Sequence, residues 1–254
     1  MTSSNNFKEV AVVVGATGAF GKVIVAKLVA AGLGIIAVAR SAEHLTALVK
    51  ENSNVMPCIA DISSDTSIPI ISAALNKPVR MVVHGPGVAV AGGILTAPTA
   101  ALVDAVNIKV GGMLRLARAV DAHLVSGSRL VAIGGHYGFE PTAYAAAAGV
   151  ANAALVNVMR QLSLAYGARG ITAHLVAPGP ADTERLRRVA ADRAAMRGIS
   201  TEAVLNEMRA ESSTGRFTTP EQVAWAVALL LAPEADAMTG STLMLDSGRR
   251  RGLP

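Results

Sequence analysis

Val14-Gly15-Ala16-Thr17-Gly18-Ala19-Phe20-Gly21 stands between an apolar run, Val10 to Val14, and a helical pattern that begins near Ala19 and continues to Ala31. A strand that feeds a tight glycine turn and then a helix leaves the helix's first backbone N–H groups free and aimed at one point. That arrangement suits the pyrophosphate of a dinucleotide. Gly15 supplies the turn, Gly18 lets the backbone approach a phosphate, and Gly21 lets the helix lie against the strand. Thr17 and Phe20 belong to the same candidate cradle. In a chain with 24 glycines the spacing alone is a weak signal, and its place between strand and helix is what gives it weight.

Working outward, the next apolar run, Ile35 to Ala39, ends at Arg40-Ser41. A dinucleotide fold usually places an acid there to hold the adenosine ribose. A guanidinium cannot accept the ribose hydroxyl's hydrogen bond, but it pairs well with a 2′-phosphate, so the sequence favours NADP(H) over NAD(H). The plainer reading of Arg40 is a solvated arginine at the start of a loop.

Composition sets the outer bounds. A chain of 254 residues fits one large α/β domain with a well-buried core. Hydrophobic residues make up 52% and aromatics 3%, so the core is aliphatic. The net charge of +5 is spread out, apart from Arg249-Arg250-Arg251 and a stretch with Arg185, Arg187 and Arg188 mixed with acids. With so few aromatic rings to stack bases, nucleic acid is not an expected partner, and a phosphate-bearing small molecule fits better. Cys58 is the only cysteine, which excludes an intrachain disulfide and a cysteine zinc cluster, and no metal site is expected. No apolar run reaches the roughly 18 residues of a membrane span. Met1 to Asn6 is polar, so neither a signal peptide nor a membrane partner is expected, and the expected compartment is the cytoplasm.

Short apolar runs then alternate with longer helical patterns, the rhythm of a parallel sheet covered on both faces. Strands are placed at Val10–Gly15, Ile35–Ala39, Val55–Ala60, Met81–His84, Arg129–Ile133, Thr172–Ala177 and Ser241–Leu245. The firmest helices are Ala19–Ala31, Ala101–His123, Ala143–Tyr166 and Pro220–Leu231, the last with Thr219 as N-cap, and Trp225 is expected in the core. The fold class is α/β, a Rossmann-type doubly wound parallel sheet of about seven strands, in a single domain over residues 1–254. Asp182 to Gly215 is richer in charge and poorer in apolar period, which marks an excursion from the sheet, a mobile flap over the site.

At this point the chain resembles the short-chain dehydrogenase/reductase family, from Val10 to Gly248. The glycine turn is similar to that of the family's extended or atypical branches. Asp61, with Ile62 beside it, follows the third strand where the family's acid contacts adenine. His84-Gly85-Pro86-Gly87 replaces the family's Asn-Asn-Ala-Gly after the fourth strand, with Gly85 beside the cofactor and His84 ordering nearby loops. Asn107 matches the helix asparagine that holds a catalytic water. Ala177-Pro178-Gly179-Pro180-Ala181-Asp182-Thr183 matches the turn beside the nicotinamide, Thr183 being the residue that touches the carboxamide. Gly215-Arg216-Phe217 to Pro220-Glu221, and Thr239-Gly240 to Asp246-Ser247-Gly248, also resemble the family. The resemblance implies a homodimer or homotetramer built on the long helices.

The family's catalytic groups match less well. Its serine after the fifth strand reads Gly134-Gly135 here, and its Tyr-x-x-x-Lys reads Tyr144-Ala145-Ala146-Ala147-Ala148. The sixth-strand asparagine is His174. The resemblance leaves Tyr144 as proton donor and Asn107 as support. An unassisted phenol, titrating near pH 10, can donate a proton in a reduction but is a poor base for an oxidation. Losing one positioned acid or base costs about 10²–10⁴ in rate. His136 and Tyr137 follow the vacant serine position and are candidate replacements, against the plainer reading of two packed loop residues. Lys109, two residues beyond Asn107, is expected to leave the opposite helix face and meet solvent. Three readings stand: an NADP(H)-dependent reductase of a carbonyl or activated double bond in a small apolar substrate; a nucleotide-binding sensor or partner subunit; or non-redox lyase or hydrolase chemistry on the same scaffold.

Overall fold

Val10, Val12 and Val14 point to one side of a sheet, and Ala11 and Val13 to the other, each group ending in a separate hydrophobic cluster. A strand buried on both faces reads as a continuous apolar run, and this one forms the centre of a parallel sheet. In the computed structural model, which describes residues 7–89 and 92–252, seven strands form that sheet. They are β1 (Val10–Val14), β2 (Gly34–Ala39), β3 (Val55–Ile59), β4 (Val79–His84), β5 (Leu124–Ile133), β6 (Thr172–Pro178) and β7 (Thr242–Leu245), in the order β3-β2-β1-β4-β5-β6-β7. Every neighbouring pair is parallel.

The strand order reverses between β1 and β4, and a sheet of this kind opens a crevice at the carboxyl ends of the strands there. Val14 lies level with Val38 on one side and His84 on the other, so Gly15 and Gly85 leave the sheet side by side. Gly15 donates to Val38 O at 2.9 Å and Gly85 to Val14 O at 3.0 Å.

Helices cover both faces. α1 (Ala19–Ala30), α2 (Ala42–Glu51) and α9 (Pro220–Leu229) bury Ile24, Leu28, Leu45 and Val223 on one side. α3 (Ser67–Ala73), α5 (Gly112–Val120) and α6 (Ala146–Tyr166) bury Ile71, Leu116 and Leu155 on the other. α9 begins as expected: Thr219 Oγ1 accepts from Gln222 N at 3.2 Å while Gln222 Oε1 accepts from Thr219 N at 2.9 Å, a reciprocal cap. Among the described residues no helix is long and apolar enough to cross a membrane.

Two expectations are corrected, and a third segment gains detail. The helix expected over Ala101–His123 is interrupted: α4 (Thr99–Val106) passes into a π-turn, Asn107–Gly111, before α5, and a short 3₁₀ turn ends it. Gly111 ends the π-turn and Gly112 begins α5, where a Cβ would lie 2.5 Å from His84 Nε2, so the helix passes close to β4 there. Trp225 is 55% exposed, since α9 buries Val223, Ala224, Ala226 and Val227 and so turns position 225 to its far face. The charged excursion holds regular structure, α7 (Glu184–Arg197) and α8 (Thr201–Ala210), capped by Thr183 and Ser200. Leu186, Ala190 and Ala194 form a narrow stripe at four-residue spacing that packs on Val204, Leu205 and Met208. The surrounding arginines and acids dilute that stripe in a sequence reading.

Candidate active site

The turn that opens the sequence reading has the geometry its residues imply. Gly15 sits at φ +80°, in the left-handed region that glycine adopts without a steric cost. A Cβ on Gly21 would overlap Gly15 O and stand 2.7 Å from Ala16 Cα and carbonyl carbon, so only glycine lets α1 approach the turn this closely. Gly18 is the N-cap of α1 and brings no side chain over the helix end. The first N–H groups of α1 therefore face the crevice, with the helix dipole adding positive potential.

The crevice is a cleft of about 530 Å³. Gly15, Gly18, Phe20, Gly21, Gly85, Pro178, Gly179 and Thr183 line it, so one cavity gathers the expected turn, the end of β4 and the proline-glycine turn. Five expected cofactor residues lie outside its lining. Thr17 is half-buried in the turn, and Ile62 is buried in the core. Ser41 caps α2, accepting from His44 N at 3.3 Å. Arg40 and Asp61 are exposed at the ends of β2 and β3. Hydrogen bonds from Ser63 N and Oγ hold the Asp61 carboxyl below the usual carboxylate range, and Arg40 adds to the effect.

The expected catalytic residues divide. His136 and Tyr137, in the short turn after β5, line the cleft with Gly134 and Gly135. Tyr144 does not; its hydroxyl meets the Tyr137 hydroxyl at 2.8 Å, the two rings sit edge to face, and Arg193 lies over the Tyr144 ring at 4.2 Å. Asn107 also stays outside, its Nδ2 donating to Ser63 O at 3.0 Å. The side chains that α6 presents to the cleft, four residues apart, are Ala148 and Asn152. Asn152 is buried, and its Oδ1 has no hydrogen-bond partner among the described residues.

Lys109 is the clearest correction. It is 4% exposed, its Nζ donates to Ile133 O at 2.7 Å, and it lines the cleft. It does leave the helix on the face opposite Asn107, but the cleft, not solvent, lies on that side. Burial, with Arg185 nearby, pushes its ammonium down to about 7. His84 is fully buried beside it, driven down to about 3 first by desolvation and then by the lysine's charge. His136 falls to about 4 by burial, with Arg249 adding to it, and stays neutral near pH 7. Burial and the Tyr144 hydroxyl push the Tyr137 phenol upward, so it remains a donor. His174 is buried in β6, bonded through Nε2 to Thr172 Oγ1 at 2.8 Å and away from the cleft lining.

Arg185 and Asn152 are cleft groups that sequence reasoning did not single out, and Lys109 is one that it sent to solvent. Arg185 reaches from α7 across the opening to donate to Val88 O, beside Gly87. No local pattern marks it, because the contact joins two segments far apart in the chain. The sequence around Lys109 did carry a signal: Gly111-Gly112 inside a helical pattern marks a point where the regular helix is weakened.

These residues fit a dinucleotide. The cradle is closed to any side chain at Gly21, an open helix end faces the cleft, and the unpartnered Asn152 Oδ1 and His136 Nε2 line its other end. A family model described as enoyl-(acyl carrier protein) reductase matches residues 15–250. The short-chain reductase protein NovJ of Streptomyces niveus is 27% identical over 260 residues, covering 95% of this chain and 94% of that protein. The 3-oxoacyl-(acyl-carrier-protein) reductase FabG of Salmonella typhimurium is 27% identical over 246 residues, covering 94% and 96%. A crystal structure of a variant of the actinorhodin polyketide ketoreductase with NADPH superposes with a TM-score of 0.87 at 26% identity, covering 98% of this chain and 99% of that one. With its glycine cradle, its strand order and its near-complete match to these reductases, the chain belongs to the short-chain dehydrogenase/reductase family.

Proposed function

We propose that this protein is an NADPH-dependent reductase acting on a carbonyl or activated double bond of a small apolar substrate. The observation that carries the reading is that one cleft holds both the glycine cradle and the polar end formed by Lys109, His136, Tyr137 and Asn152. A bound nicotinamide supplies the hydride. Gly18 and the first turn of α1 would hold the pyrophosphate, and Pro178, Gly179 and Thr183 would border the nicotinamide. Arg40, at the end of β2 with no acid beside it in sequence, supports the 2′-phosphate form. The Tyr137 hydroxyl, held by Tyr144 and kept protonated by burial, orients the substrate oxygen by donating to it. Relatives named as 3-oxoacyl and polyketide ketoreductases make 3-oxoacyl thioesters the first substrate class to assay.

We read Ala148 and Asn152 as the positions where the family carries its tyrosine and lysine, one helical turn beyond Tyr144, since both face the cleft at the right spacing. The same observation favours a second reading, a nucleotide-binding protein without turnover, because alanine offers no proton. NADPH should raise the melting temperature, and NADH less so; at a hundred times Kd the expected stabilisation is about 2.7 kcal/mol. Oxidation of NADPH by simple ketones or 3-oxoacyl thioesters then separates reductase from sensor. No shift with either nucleotide would refute both.

A further inference from the structure

We propose that Lys109 is the proton donor of the cleft, an ammonium brought in from the π-turn between α4 and α5 to protonate the substrate's carbonyl oxygen. The inference rests on the reductase reading and adds to it the acid that α6 lacks.

Lys109 is buried, yet no carboxylate pairs with it among the described residues. A buried ammonium is costly unless it is paired, and a methionine of similar length would fill the same space without that cost. Architecture alone therefore does not account for a lysine here. Among the described residues its one hydrogen bond goes to Ile133 O, the last carbonyl of β5, immediately before Gly134-Gly135. An ammonium has three donors, so two remain for a ligand. Around it the cleft presents Ala148 and Asn152 of α6 and Tyr137 from the turn after β5.

The charged and titratable groups facing it are His84 from β4, neutral by burial, and Arg185 from α7, with Arg188 and Tyr137 next beyond. Glu184 also lines the cleft, but its side chain is exposed and engages Arg187. Position and neighbours together thus favour an amine that gives up its proton readily. A π-turn is the device that places it, since such bulges recur at functional sites.

The step balances. The two electrons reach the carbonyl carbon with the hydride of the reduced nicotinamide, the Nζ–H bond breaks as the O–H bond of the alcohol forms, and a solvent proton recharges the neutral amine. An ammonium that titrates near neutrality is matched to this task at working pH.

Two measurements test it. Limited reductive methylation with formaldehyde and cyanoborohydride at pH 7.5, read by peptide mass, should modify Lys109 ahead of Lys8, Lys22, Lys27, Lys50 and Lys77, because burial lowers its amine to about 7 and leaves it largely neutral there. NADPH should protect it. In NADPH oxidation with 3-oxoacyl thioesters, Lys109→Met should keep the NADPH thermal shift, lower kcat by about 10²–10⁴, and abolish the decline of kcat above pH 7. Lys109→Arg, which keeps a charge that does not titrate, should not restore the profile. Methylation that spares Lys109 while marking the other lysines overturns the proposal, as does a Lys109→Met protein with native kcat and pH profile. If the native protein binds NADPH but reduces nothing, the reductase reading fails and the proton-donor role fails with it. If Lys109→Met alone loses the thermal shift, the lysine serves nucleotide binding instead and the proposal is overturned while the reductase reading stands.

Discussion

Replacing Lys109 with methionine should make the protein more stable at pH 7, by a margin that shrinks as the pH rises. The amine's ordinary value is 10.5, and burial lowers it to about 7 in the folded chain. Between those values the unfolded chain holds a proton that the folded chain has released, so native stability rises with pH across the window. Below about pH 7 both states are protonated and the whole penalty of burying the cation is present. One proton gives a slope of about 1.4 kcal/mol per pH unit, so the native protein gains about 2 kcal/mol between pH 7 and pH 9. The methionine variant lacks that gain, keeps the aliphatic stem, and opens no cavity. Urea unfolding followed by circular dichroism at pH 7, 8 and 9 reads the difference, and all other titrating groups cancel between the two proteins. Stability curves that run parallel over this range would refute the burial argument, and a variant less stable than the native protein at pH 7 would show that the ammonium is paired after all.

Further outcomes follow from other sites. His84, His136 and His174 are neutral when folded, at about 3, 4 and 4, so their contribution is present above the ordinary histidine value and lost as pH falls from 6.5 toward 4. Three protons give a slope near 4 kcal/mol per unit in that window, which is large against a total of roughly 5–15 kcal/mol. Melting temperature should therefore drop steeply below pH 6, and a flat profile down to pH 4.5 would contradict it. Gly21→Ala forces α1 away from Gly15; an overpacking loss of about 1–3 kcal/mol and a lost NADPH thermal shift are expected, whereas an unaltered shift would mean the cradle is not the nucleotide site. Tyr144→Phe removes one hydrogen bond to Tyr137, worth about 1 kcal/mol, so NADPH oxidation should change by about fivefold or less, against a larger loss in Tyr137→Phe. Arg40→Gln should weaken NADPH about tenfold or more while sparing NADH, as expected for a charged hydrogen bond of about 1.5–3 kcal/mol; equal weakening of both would remove Arg40 from cofactor choice.

Much of the site was legible where it depends on backbone. The glycine turn, the Pro178-Gly179 turn and Gly85 are recognised by residue type because each works through main-chain geometry, and they meet in one cleft. Side chains were harder to place. Tyr144 fits the family's spacing in the sequence, but α6 starts at Ala146 and turns Ala148 and Asn152 to the cleft instead, so a four-residue offset moves the phenol out of the lining. Asn107 and Lys109 leave opposite faces as a helix requires, yet which face meets the cleft depends on how the π-turn seats against β4 and β5.

What the sequence determines by itself is the architecture: alternating strands and helices, a doubly wound parallel sheet, and a nucleotide-type turn at the end of its central strand. These follow from hydrophobic period and from glycine's access to conformations other residues avoid, both local properties of the chain. Only the tertiary structure decides which chemistry-bearing groups share the cleft. Lys109, Asn152, Tyr137 and Arg185 come from four separate segments that line one cleft, and burial there, which the order of residues does not encode locally, shifts the titration of Lys109 and Tyr137.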